Sequence, residues 1–220
     1  MILTPIDHET LPPLLEALTL ALAPHPRAAR ALARIAAVIP AGDLMELSTE
    51  ASHHAHAVAL CRAFGLEVVD MSPADGLTWD GRRVAGRMEP SVLIHEVAHF
   101  QCASLERRSL PDFGLGAGPE SGWKEVGDRA RRLPQVEADV EEALSSLLGI
   151  LWEAEFGQPA ILAFAEQNWL EGGAASHNVA HLIRMTDMLA DLGLIDDEAR
   201  PRYALREQTD DVLFAPWRSP

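Results

Sequence analysis

Two imidazoles four residues apart, with a carboxylate directly after the first, occur at His95-Glu96-Val97-Ala98-His99. On an α-helix, side chains at i and i+4 share one face with Cβ atoms about 6 Å apart. His95 and His99 can therefore aim at one ion. Glu96 lies about 100° round the helix from His95. That suits a general base acting on metal-held water better than a ligand, which is the logic of His-Glu-x-x-His sites. The flanking Val92, Leu93, Val97 and Ala98 are apolar, so the helix is partly buried. Burying two histidines and a glutamate without partners is costly, and a cation would satisfy all three. The same spacing returns at His177-Asn178-Val179-Ala180-His181, without the acid and after Glu171-Gly172-Gly173. That pair reads as an exposed helix face, with lining of the same cleft as the alternative, and the cluster His53, His54 and His56 reads as a solvated face, with metal binding as its alternative.

Two histidines bind weakly alone, and catalytic sites use three protein ligands with a position left open. The third ligand is expected from a later element. Asp112, Glu120 and the run Glu137, Asp139, Glu141 and Glu142 are the candidates. Glu137 is the first choice, with Asp139 and Glu141 behind it, because a helix from about residue 135 can turn one carboxylate inward. Two histidines and one carboxylate accept Zn(II), giving a hydrolase, or Fe(II), giving an oxygen-activating site.

The elements that must carry these residues are mostly helical. Apolar spacing predicts helices over 9–23, 26–38 and 49–64, with Gly65 as a stop. A short β-rich run follows at 65–71. Asp80-Gly81 between two short runs predicts a hairpin over 77–88. The motif helix is expected from Pro90 to about Arg107, where Arg107 and Arg108 would favour the helix dipole. Residues 109–134 read as a long Gly- and Pro-rich loop, of the kind that is often functional. Helices return over 135–156, 159–171 and 175–192. The expected fold class is α+β, mostly helical, with a small sheet or hairpin ahead of a metal-binding helix in a zincin-like core. One domain is expected over 1–220: a helical part to 75, a metal-binding core over 76–192, and a tail over 193–220.

Composition narrows the partners. The net charge of −15 argues against direct nucleic-acid binding and against anionic membrane surfaces, both of which need a positive footprint. Apolar residues make up 48% of the chain, enough for a core. Two cysteines, Cys61 and Cys102, are too few for a disulfide framework. No apolar run reaches membrane-spanning length, and the first residues lack a basic leader pattern. A cytoplasmic enzyme is the expectation.

The segment HEVAHFQCASLERRSLPDFG, residues 95–114, resembles the motif region of the bacterial elongation factor P hydroxylases. The matching features are His95, Glu96 and His99, then Arg107-Arg108, then Asp112-Phe113-Gly114. With one inserted residue, Glu137 in VEADVEEALSSL is the nearest match to that family's later acid, and NWLEGG at 168–173 has a loose counterpart. Leu115-Gly116-Ala117-Gly118 stand where the family has aromatic residues. The resemblance implies an iron- and O2-dependent hydroxylase acting on a modified lysine of elongation factor P. The motif alone points instead to a zinc-dependent metallopeptidase with Glu96 as base. A third reading is a non-catalytic, metal-stabilised binding protein. Bottom-up, Asp112 is expected to cap or to orient a histidine ligand, Phe113 to be core, and the glycines after it to suit a lid.

Overall fold

The computed structural model describes residues 10–40 and 49–214. The expected helix over 9–23 therefore begins one residue outside them. The first nine of the residues read for a leader and the end of the tail (215–220) also lie outside. Among the described residues the chain is mostly helical, with one small sheet. Three helices come first: α1 Leu11–Leu22, α2 Pro26–Ile35 and α3 Ala51–Ala63. Pro26 opens α2 at a position where a missing N–H costs nothing. After α3, Gly65 adopts φ +76 and its N–H reaches Arg62 O, which ends the helix in the way Gly allows.

The sheet differs from the expected hairpin. Strand β1, Glu67–Val69, pairs with β2, Arg83–Ala85, in parallel. Across the Asp80-Gly81 turn only a single antiparallel bridge, Trp79 to Val84, remains. The turn does form, since Asp80 Oδ1 accepts from Arg82 and Arg83 N–H at 2.9 and 2.7 Å. Strand β2 nonetheless continues along β1, reached by a crossover containing a 3-10 turn at Pro73–Asp75.

Helix α4, Pro90–Cys102, carries the histidine motif and stops five residues short of Arg107. Ala103 turns extended there, at φ −62 and ψ 144. Residues 109–134 are less loop-like than their composition predicts. They hold a 3-10 turn at Pro111–Gly114 and α5, Lys124–Ala130. The remaining helices are α6 Gln135–Glu155, α7 Ile161–Glu166, α8 Ser176–Asp191 and α9 Asp210–Phe214.

Helix α4 is the centre of the packing, with α6 along one side and α3 along another. Leu93, Ile94, Val97 and Ala98 are fully buried within one apolar cluster that runs from Leu11 to Ala199. Helices α4 and α6 approach closely at Gly149, where an added Cβ would lie 3.3 Å from His95 Cα. Glycine at this position lets the two backbones approach, and that approach sets the site. Among the described residues, no helix is long and apolar enough to cross a membrane.

Candidate metal centre

Helix α4 turns His95 and His99 to one face, and α6 meets that face with Glu142. Glu142 Oε1 lies 3.1 Å from His95 Nε2, and Oε2 lies 3.2 Å from His99 Nε2. One ligand atom from each of the three residues lies within 4.8 Å of the others. Donors held about 2.1 Å from one ion in a tetrahedron stand roughly 3.4 Å apart, close to the two His–Glu separations. The two rings meet edge to face, with centroids 4.5 Å apart. Both Nδ1 atoms are buried without a hydrogen-bond partner, so each ring's polar engagement runs through Nε2. The Glu142 side chain is 58% exposed while those of His95 and His99 are 15% and 7%. Further coordination can therefore come only from the carboxylate's side. By spacing, burial and donor chemistry the group fits a divalent ion.

The first-choice third ligand, Glu137, is not among these atoms; Glu142 stands beside the histidines in its place. The face of α6 turned toward α4 contains Glu142 and, two turns on, Gly149. Glu137 lies five residues before Glu142, about 140° round the helix, and is buried elsewhere. Asp139 accepts from Gln135 Nε2 at 2.7 Å. Glu141 is wholly buried against Arg107 and Arg206. Glu120 is an exposed residue of the cleft wall. Of the acidic run, only Glu142 joins the histidines.

The electrostatics follow from that packing. Burial opposes charge on Glu142, but the His99 and His95 charges outweigh it and hold its carboxyl far below the usual carboxylate range. Burial likewise opposes charge on His99, and the Glu142 carboxylate prevails, pushing the imidazole up to about 9. Burial pushes Glu96 up to about 7, with the His99 charge opposing and Asp112 adding. Glu96 is buried, at 7% exposure, and the nearby Thr78 side chain opposes the rise slightly. It lines the same cleft as the ligand set without joining it.

That cleft has a volume of about 680 Å³. One wall is the segment after α4. Phe113 stacks on His99 with centroids 5.5 Å apart, and Trp79 stacks on the other face of the row at 5.4 Å from Phe113. Asp112 does not orient a histidine, as its place in the sequence suggests; it ties this wall together. Its Oδ1 accepts from Thr78 Oγ1 at 2.8 Å and from Trp79 N–H at 3.3 Å. Its Oδ2 accepts from Ser121 Oγ at 2.9 Å and Gly118 N–H at 3.1 Å. Asp112 and Phe113 hold left-handed φ of 41 and 54, conformations that cost energy outside glycine and gather at functional sites.

The opposite wall contains Glu166, Asn168, Trp169 and His181. His181 stacks on Trp169 at 5.1 Å and lies outside the ligand group. Its helical neighbour Asn178 donates to Trp169 O and Gly173 O. The HNVAH helix thus builds the cleft's far side. The histidines of α3 are less solvated than expected: His53 and His54 are half-buried, and His54 Nε2 bonds Gly86 O at 2.9 Å. Thr78, Ser91 and Glu166 carried no motif and were invisible as lining residues. Glu142 had one available signal, a glycine seven residues on that marks the close-packed helix face. No family model matches the chain, and neither a curated protein nor a solved structure does.

Proposed function

We propose that the chain is a metal-dependent enzyme with a zincin-like core, in which His95, His99 and Glu142 hold one divalent ion, and that it hydroxylates a side chain of a protein or peptide substrate. The observation that carries the metal is the meeting of His95 Nε2, His99 Nε2 and the Glu142 carboxylate at one point of the cleft. Iron bound there would supply O2 activation, and zinc would supply Lewis acidity. The choice of iron rests on the likeness of residues 95–114 to the elongation factor P hydroxylases, and a lysine of that factor is the first substrate to try.

The protein's own residues divide the remaining work. Glu96, one residue from a ligand and lining the cleft, is placed to hold or move a proton there. Phe113, backed by Trp79, covers His99 and keeps water from that side of the site. Asp112 holds the wall that a substrate would rest on. The position of Glu96 also favours the second reading, a zinc-dependent peptidase in which the same carboxylate serves as general base.

Metal analysis of anaerobically purified protein, paired with O2 consumption in the presence of elongation factor P or peptides, tests the reading. Stoichiometric iron with substrate-dependent O2 uptake is the expected result. Stoichiometric zinc with peptide hydrolysis selects the second reading. Absence of any stoichiometric divalent ion, with His99→Ala behaving as wild type on metal addition, overturns both.

A further inference from the structure

Behind the candidate metal centre lies a second cluster of charges that takes no direct part in it. Arg107, Arg206 and Glu141 are 2%, 0% and 0% exposed at the side chain, and Asp210 is 22% exposed. Arg107 uses all five of its N–H donors. Nε donates to Asp210 Oδ2 at 2.9 Å. One terminal nitrogen donates to Glu141 Oε1 at 2.9 Å and to Phe113 O at 2.8 Å. The other donates to Glu141 Oε2 and to Asp210 Oδ1. Arg206 donates to Glu141 Oε2 at 3.1 Å, to Asp210 Oδ1 at 3.0 Å and to Cys102 O, the last residue of α4, at 2.8 Å. Two positive and two negative groups balance.

Such a cluster is a poor stabiliser, because four charged groups give up hydration and well-packed apolar side chains often serve the fold as well. It is effective at fixing geometry, since a planar guanidinium fork admits few arrangements. The geometry it fixes is that of the ligands. Glu141 and Glu142 are consecutive on α6, about 100° apart, so clamping Glu141 sets the rotation that delivers Glu142 to the histidines. The Phe113 carbonyl held by Arg107 belongs to the residue whose ring stacks on His99. Arg206 pins the end of the helix that carries both histidines. The segment bearing Arg206 is itself secured: Gln101 Nε2 donates to Arg202 O and Ala204 O, and Phe214 beneath Arg206 packs on Leu133 and Ala138.

We infer that Arg107 and Arg206 are positioning residues for the metal centre, acting through Glu141, and that the segment 202–214 is a working part of that centre although none of its side chains faces the ion. The inference rests on the reading of His95, His99 and Glu142 as ligands.

Cobalt(II), titrated into apo full-length protein and followed by its visible absorption, is the probe. Wild type and Glu142→Gln establish the metal reading: tight binding in the first and its loss in the second. Arg206→Gln and Glu141→Gln are then expected to bind cobalt at least about tenfold more weakly, with an altered absorption band, while circular dichroism reports a folded chain. A purely structural role would lower thermal stability and leave the affinity and band of the folded protein unchanged, which overturns the inference. Arg206→Lys keeps the charge and loses the fork, and is expected to fall between. Should Glu141→Gln fail to fold, Asp210→Asn takes its place, with an expected loss of about threefold; wild-type affinity and band in that variant overturn the inference equally. Cobalt binding that survives Glu142→Gln refutes the metal reading instead, and with it this proposal.

Discussion

Glu153 is the acid whose removal should strengthen the fold. It lies near the end of α6, is 6% exposed, and is pushed up to about 8 by burial and by the neighbouring Glu166. Among the described residues no cation or hydrogen bond offsets those two effects. The sign follows from linkage. Below the ordinary glutamate value of 4.5, folded and unfolded chains are both protonated and Glu153 costs nothing through ionisation. As pH rises, the unfolded chain ionises and the folded chain does not, so stability falls until the folded value of about 8 is passed. At pH 7 the gap from the ordinary value is about 2.5 pH units, each worth about 1.4 kcal/mol, which makes the cost roughly 3 to 4 kcal/mol at most. Glu153→Gln removes the ionisation and keeps the shape; the buried amide stands in for a carboxyl that is itself neutral when folded. The variant should therefore gain little at pH 4.5 and up to roughly 3 to 4 kcal/mol at pH 7. Urea unfolding of both proteins at stepped pH measures the difference, and the titration of the metal centre, common to both, drops out. A gain that does not change with pH, or a loss at pH 7, refutes the reasoning, because either would mean that Glu153 is held by contacts a glutamine cannot replace.

Four further outcomes are expected. Glu96→Gln should retain stoichiometric metal by elemental analysis while turnover falls about 10²- to 10⁴-fold, the usual loss for a positioned acid or base; loss of the metal would make Glu96 a ligand. Gly149→Leu should separate α4 from α6, because even a Cβ there would meet His95 Cα at 3.3 Å; about 1–3 kcal/mol of stability and most of the metal affinity should go together in unfolding and titration experiments. Asp112→Ala leaves the Thr78, Trp79, Gly118 and Ser121 donors without their acceptor and should cost about 2 kcal/mol or more, with limited proteolysis moving to residues 109–123. His177→Ala should keep full metal content, since neither histidine of α8 joins the ligand group.

What was legible in the sequence was local. The spacing of His95 and His99 needs only an α-helix to bring both rings to one face, and Pro90 and the apolar period supply the helix. Gly65 and Pro26 punctuate helices by backbone chemistry that each residue carries with it. Where local signals pointed wrongly, a distant partner had prevailed. Asp80-Gly81 makes its turn, but β2 then takes β1 as its neighbour, fourteen residues and more back along the chain. Arg107 and Arg108 look like cations at a helix end. The helix stops before them, and while Arg108 does bond Phe100 O in its last turn, Arg107 is drawn into the buried cluster with Glu141.

The third ligand illustrates the limit most clearly. Glu137, Asp139, Glu141 and Glu142 all lie in the first two turns of one helix, and periodicity fixes their angles to one another but not the rotation of the helix as a whole. That rotation is decided by contacts made across the fold: Arg206, 65 residues from Glu141, Arg107, 34 residues away, and the close approach of Gly149 to His95. Once two arginines claim Glu141, the next residue is carried about 100° round to the histidines and Glu137 is carried away from them. A carboxylate's role in this chain is therefore set by which cations bury its neighbour, and reading it from sequence would require knowing that residues 107, 141 and 206 meet.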